Sequence, residues 1–295
     1  MAVYDAVPEL IADYGCETTE GPLWHVSLEA LLWVDIPAGR LFRFDAASGE
    51  HRLAYESGPI GGFTLQDDGT LLLFGDHGRI WIWDPSTGEE RVLVEEIAAE
   101  RDTRFNDVIA DPEGRVYAGT MPAGERQGRL YRLERDGTLG VALDDAGLSN
   151  GMGFTPDLAA IYHTDSARGT IRRYAYDRAS GELGAGETIV TIPESDGEPD
   201  GMAVDAEGNI WSARWDGGAL FHYAPDGTIL GSAHFPARKV SSLTFAGPEL
   251  LDVYVTCAGG PEKVTEGSGA GALFRTTLGV AGRPSFRSRI LSDPA

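Results

Sequence analysis

The chain has little cysteine, little lysine and no long apolar run. Cys16 and Cys257 are the only cysteines among 295 residues, so a disulfide framework and a cysteine-ligated zinc site are excluded. Lysine occurs only at Lys239 and Lys263, and 46 acidic residues against 24 basic ones give a formal net charge of −22. A basic face that could displace counterions from phosphates is missing, which excludes nucleic acid as a partner. Anionic membrane surfaces are disfavoured for the same reason. No stretch approaches the roughly 18 uninterrupted apolar residues of a membrane span, and the first residues carry no basic segment leading into an apolar run. A soluble, cytoplasmic protein, monomeric or weakly self-associating, is expected. Also missing are a P-loop, a dinucleotide glycine fingerprint, a Gly-x-Ser-x-Gly elbow and any pair of histidines at metal-ligand spacing. No long window sustains a helical period, residues 97–102 making one helical turn at most. Core material is plentiful, since 42% of residues are hydrophobic, and disorder is therefore excluded. Scarce lysine with excess carboxylate fits either a salt-adapted proteome or a GC-rich genome.

What the sequence does contain is a sixfold repeat. Residues 39–44, 78–83, 128–133, 169–174, 218–223 and 271–276 are variants of one strand opening on glycine. The first five lead into Asp/Gly turns of the kind that close β-hairpins. Before each comes a strand, a tight turn and a second strand. Phase marks in those turns, Ser27, Asp67, Asp111, Asp157, Asp205 and Gly247, are spaced 40 to 48 residues apart. A unit of that length holding four short strands is one propeller blade. The whole chain, 1–295, is thus predicted to form a single all-β domain, a six-bladed β-propeller with four antiparallel strands per blade around a central channel. Ring closure is predicted through residues 8–13 pairing near residues 286–291, which would remove exposed sheet edges.

The repeat also predicts a site. Inner strands of a propeller converge on the axis, so polar residues sharing one phase before them meet in space. Glu20, Asn106, Asn150 and Asp200 lie five or seven residues before their phase marks, and the other two blades have Gly61-Gly62 and Ser241-Ser242 there. Taken singly, Asn-Gly and Asp-Gly are ordinary turn pairs, but Glu20 is no turn former and the four share a phase. Converging carboxylates are costly unless a cation lies between them, and oxygen donors suit a hard divalent ion such as Ca²⁺, Mg²⁺ or Mn²⁺. Arg104, two residues before Asn106, reaches toward the same axis to hold an anionic or carbonyl oxygen, or else forms an ion pair in this acidic chain. His163 and Asp165 follow the phase mark and are expected at the other end of the channel in a structural role.

These segments resemble the SMP-30/gluconolactonase/LRE (regucalcin-like) family: residues 20–24, 33–36, 104–107, 119–121, 149–151, 162–166, 199–202 with 205–211, and 254–257 match in family order. The resemblance implies one divalent metal ion (Ca, Mg, Mn, Zn or Fe) held by Glu20, Asn150 and Asp200, with Arg104 and Asn106 contacting a small-molecule sugar lactone. It further implies lactone hydrolysis, the metal polarising the carbonyl and Asp200 acting as general base. Animal members carry an acidic residue soon after Gly-Thr-Met, where this chain has Pro122 and only later Glu125. A propeller esterase of different substrate and a non-catalytic Ca²⁺-binding propeller are the alternatives. The isolated Trp83-Asp84 and Trp215-Asp216 pairs do not form the repeating signature of a scaffold propeller.

Overall fold

A computed structural model describes residues 2–292. In five of the six repeats the third strand begins where a glycine turns the chain. Gly39, Gly78, Gly169, Gly218 and Gly271 all have positive φ, a conformation that costs glycine little. At Gly39 a Cβ would also lie 2.1 Å from the Gly58 carbonyl oxygen, so both conformation and space require glycine. Among the described residues the strands assemble into six sheets, each carrying four antiparallel strands of one blade. The inner strands are Thr19–His25, Ile60–Leu65, Phe105–Ala110, Ser149–Phe154, Glu198–Val204 and Val240–Ala246. The expected six-bladed β-propeller is therefore the observed fold. Residues 97–102 supply only the short 3₁₀ turn Ala98–Glu100.

The core lies between blades. Blades one and two share Val34, Leu41, Phe63, Leu73 and Trp81, and blades five and six share Trp211, Leu220, Leu243 and Val255. Blade six packs on blade one through Tyr254, Trp24 and Trp33. Each blade thus buries both faces against its neighbours, which is the reason an isolated blade is not stable.

Ring closure differs from the sequence expectation in its partner. Glu9–Asp13 pairs antiparallel with Ala272–Thr277 and supplies the outer strand of blade six. Residues 286–291 have no free sheet edge to offer because they run across the opposite face of the ring. There Ser288 donates to the Leu65 carbonyl, Arg289 to that of Gly114 and Leu291 to that of Arg135. Ala2–Val3 adds a parallel fifth strand to blade five beside Gly231 and Ser232. No helix among the described residues is long and apolar enough to cross a membrane.

Candidate metal and substrate site

Every inner strand carries a break in register near its start. The shifts fall between Glu20 and Leu23, Ile60 and Gly62, Phe105 and Val108, Ser149 and Met152, Pro199 and Met202, and Val240 and Ser242. A β-bulge bends its strand and re-aims the side chains in it. Asn106, Asn150 and Asp200 sit inside their bulges and Glu20 at the edge of its own, so the same local defect turns four side chains toward the axis. Neighbouring inner strands approach closely here. A Cβ on Gly151 would lie 2.4 Å from the Met202 nitrogen, and one on Gly201 would lie 2.2 Å from Ser242 Oγ. Gly151 and Gly201 belong to strands and lack positive φ. They serve blade-to-blade packing, and the turn reading of Asn-Gly and Asp-Gly does not apply.

All five residues singled out from the sequence line one cavity of about 260 Å³, together with Thr18, Met121, Ser166, Glu198 and Trp215. Glu20, Asn106, Asn150 and Asp200 are each no more than 6% exposed. Arg104 donates through Nη1 to Asn106 Oδ1 at 2.7 Å and to the Phe105 carbonyl at 2.8 Å. Asn106 Nδ2 in turn donates to the Ser149 carbonyl at 3.0 Å, which fixes both side chains. Asn150 Nδ2 donates to Ser166 Oγ at 3.2 Å, while its Oδ1 is buried without a partner.

The electrostatics are those of carboxylates forced together in a low dielectric. Burial, with the Asp200 and Asp107 charges next, raises the Glu20 pKa well above the usual carboxylate range. Asp200 is raised likewise by burial and then by Asp107, with the Asn150 side chain and Arg104 pulling partly back. Burial also lowers the Arg104 pKa, although Glu20, Asp107 and Asp200 oppose that. Two buried carboxylates and an orphaned amide oxygen are hard donors, and a buried unpartnered acceptor calls for a ligand. The set fits a divalent cation held by Glu20, Asn150 and Asp200. Among the described residues no three His, Cys, Asp or Glu side chains cluster as a metal site, because the third donor here is an amide.

Asp107 was not foreseen. Its carboxyl is pushed up to about 7 by burial and acts on both Glu20 and Asp200, yet it lines a second, largely apolar cavity on the far side of the bulge layer. The doublet Asn106-Asp107 lies inside the register break between Phe105 and Val108, and its two members line different cavities. Glu125 is exposed and lies outside the cavity lining, where Met121 takes part instead. The expected place of His163 and Asp165, at the other end of the channel, is corrected. Their strand runs antiparallel to the inner one, so its end returns to the site: Asp165 pairs with Ser149, and Ser166 lines the cavity. His163 is buried with Nε2 2.8 Å from Ser149 Oγ.

In sequence and fold the chain is similar to known proteins. Residues 18–259 match the model of the SMP-30/Gluconolactonase/LRE-like region. The chain belongs to this family. It is similar to a pentonolactonase, XacC, of Haloferax volcanii, at 46% identity over 95% of this chain and 97% of the relative. A 6-deoxy-6-sulfogluconolactonase of Pseudomonas putida is 32% identical over 89% of this chain and 92% of the relative. In fold it matches a regucalcin from Agrobacterium tumefaciens, described as a calcium-binding protein, with a TM-score of 0.91 at 24% identity, covering 98% of this chain and all of the other.

Proposed function

We propose that the protein hydrolyses sugar-acid lactones in a metal-dependent reaction with Asp200 as general base. The observation that carries this reading is the convergence of Glu20, Asn150 and Asp200, with one amide oxygen unpartnered, beside Arg104 in a single cavity. The names of the two lactonase relatives support the substrate class. Glu20, Asn150 and Asp200 would hold a divalent cation, which when bound would supply Lewis acidity at the lactone carbonyl.

The chain's own groups do the rest. Asp200 lines the cavity beside Arg104, where its carboxylate can take a proton from water as the water oxygen bonds to the carbonyl carbon. The carbonyl π electrons move onto oxygen, and Arg104 faces that charge. Arg104 Nη1 is committed to Asn106 and Phe105, which leaves Nε and Nη2 for the ligand and makes Asn106 the group that orients the guanidinium. The ring C–O bond then breaks, the ring oxygen takes the proton from Asp200, and the acid product ionises to an aldonate and a proton. No covalent nucleophile is required, since the cyclic ester needs only one water.

The test is acid release from pentono- and hexonolactones by chelated protein re-supplied with Mg²⁺, Ca²⁺, Mn²⁺, Zn²⁺ or Fe²⁺. Activity is expected to require a cation and to fall about 10³-fold in Asp200→Asn, and Asn150→Ala is expected to weaken cation binding in calorimetry. Full activity after chelation and in Asp200→Asn would remove the mechanism.

A further inference from the structure

We propose that Glu198 sets the charge specificity of this site, favouring lactones without a negatively charged substituent and disfavouring those that carry one. This rests on the lactonase reading above. Glu20, Asp200 and Glu198 are the carboxylates lining the cavity, and of these Glu198 alone is exposed. It opens the inner strand of blade five, two residues before Asp200, or about 7 Å of extended chain toward solvent. Its partner in the ladder is Trp215, the aromatic side chain of the same cavity wall.

No basic side chain lies within ion-pair distance of Glu198 among the described residues. The nearby cations are engaged elsewhere. Lys239 Nζ sits over the Trp215 ring at 5.0 Å but is paired with Asp216 and, at 3.4 Å, with Glu266. Arg238 is held by the same two acids at 2.9 and 3.5 Å. Arg104 is the one basic residue in the cavity lining, and it faces the reacting carbonyl. Once a divalent cation balances Glu20 and Asp200, the fixed charges left in the cavity are Arg104 at the reacting end and Glu198 at the rim. The tail of a bound sugar lactone therefore meets a carboxylate. A tail hydroxyl can donate a hydrogen bond to it, whereas a phosphate, sulfonate or carboxylate tail is repelled across a partly aqueous gap. The same charge favours release of the aldonate anion over its retention.

The experiment measures kcat/KM for glucono-δ-lactone and for the same lactone carrying a phosphate ester on its primary hydroxyl, with wild type, Glu198→Gln and Glu198→Arg. The expected result is a wild-type preference for the neutral lactone. In Glu198→Gln the phosphorylated-to-neutral ratio should rise about tenfold, and further in Glu198→Arg. The wild-type preference should also shrink at about 1 M NaCl, where screening reaches about 3 Å. A merely structural role would move both substrates together and leave the ratio fixed. A ratio that shifts by less than about twofold in both variants, with the neutral lactone still hydrolysed by wild type, overturns the role of Glu198 alone. Wild type that hydrolyses neither of these nor any pentonolactone overturns the lactonase reading, and this one with it.

Discussion

The residues that define the site are few, and the most informative of them is the neutral one. Glu20 and Asp200 show that charge has been concentrated, but Asn150, with Nδ2 tied to Ser166 and Oδ1 left unpartnered, shows where a ligand atom is wanted. Behind it, His163 illustrates a different use of burial. Its Nε2 meets Ser149 Oγ, its Nδ1 is unpartnered, and burial, helped by Arg172, lowers its pKa to about 4. In the unfolded chain the ring titrates near 6.5. Between these values the unfolded state binds a proton that the native state refuses, so the stability contribution is complete above about pH 6.5 and is lost as pH falls toward 4. The full loss is about 3 kcal/mol. Urea melts at about pH 7 and pH 4.5 should therefore show wild type losing about 2 kcal/mol more than His163→Gln. Equal losses in the two proteins would contradict the assignment.

At the scale of the element, the inner-strand bulge is the unit that builds the site. In blades two, four and five its glycines, Gly61, Gly151 and Gly201, are placed by neighbouring strands and not by turn chemistry, whereas Gly21 in blade one has positive φ. Gly151 makes the point because its Cα faces the backbone of the next blade, with a notional Cβ 2.4 Å from the Met202 nitrogen. Gly151→Ala must push the fourth and fifth inner strands apart, strands that carry Asn150 and Asp200. A cost of about 2–4 kcal/mol in chemical denaturation is expected, along with cation affinity reduced more than the same substitution at exposed Gly140, where a Cβ meets nothing. If Gly151→Ala and Gly140→Ala behave alike, the close approach is not what the glycine provides. The fold, the phase of the site and the five lining residues were legible in the sequence because a sixfold repeat exposes its own exceptions. Asp107 was not, since a strand's two faces become distinct destinations only once the bulge fixes which residue turns inward. The partner of residues 8–13 was not legible either. Both 272–277 and 286–291 are apolar-patterned, and only the ring's geometry leaves the former with an open edge.

The whole molecule carries its charge in two ways. Many acidic side chains cap turns between strands: Asp84 accepts from the Ser86 nitrogen, Asp136 from that of Thr138, Asp177 from that of Ser180 and Asp226 from that of Thr228. Hydrogen bonds to turn residues lower the pKa of each of these four, so they remain charged over the neutral range. Arginine is largely committed as well, with Arg115 on Asp111 at 2.8 Å and Arg126 on Glu100 at 2.6 Å. The remaining surplus, −22 in all, has no counter-charge within the molecule and repels itself across the ring. A folded chain of this length has a radius of gyration of about 19 Å, smaller than the Debye length of about 30 Å at 0.01 M salt and far larger than the 3 Å at 1 M. Repulsion therefore spans the whole propeller at low salt and is confined to neighbours at high salt, while exposed ion pairs contribute too little to reverse the sign. Calorimetry of chelated protein should show Tm rising by about 5 °C or more between 0.01 M and 1 M KCl, chelation keeping cation binding out of the comparison. A Tm that falls with salt would mean that the arginine–carboxylate pairs outweigh the surplus, and that the acidity serves the fold more than it strains it.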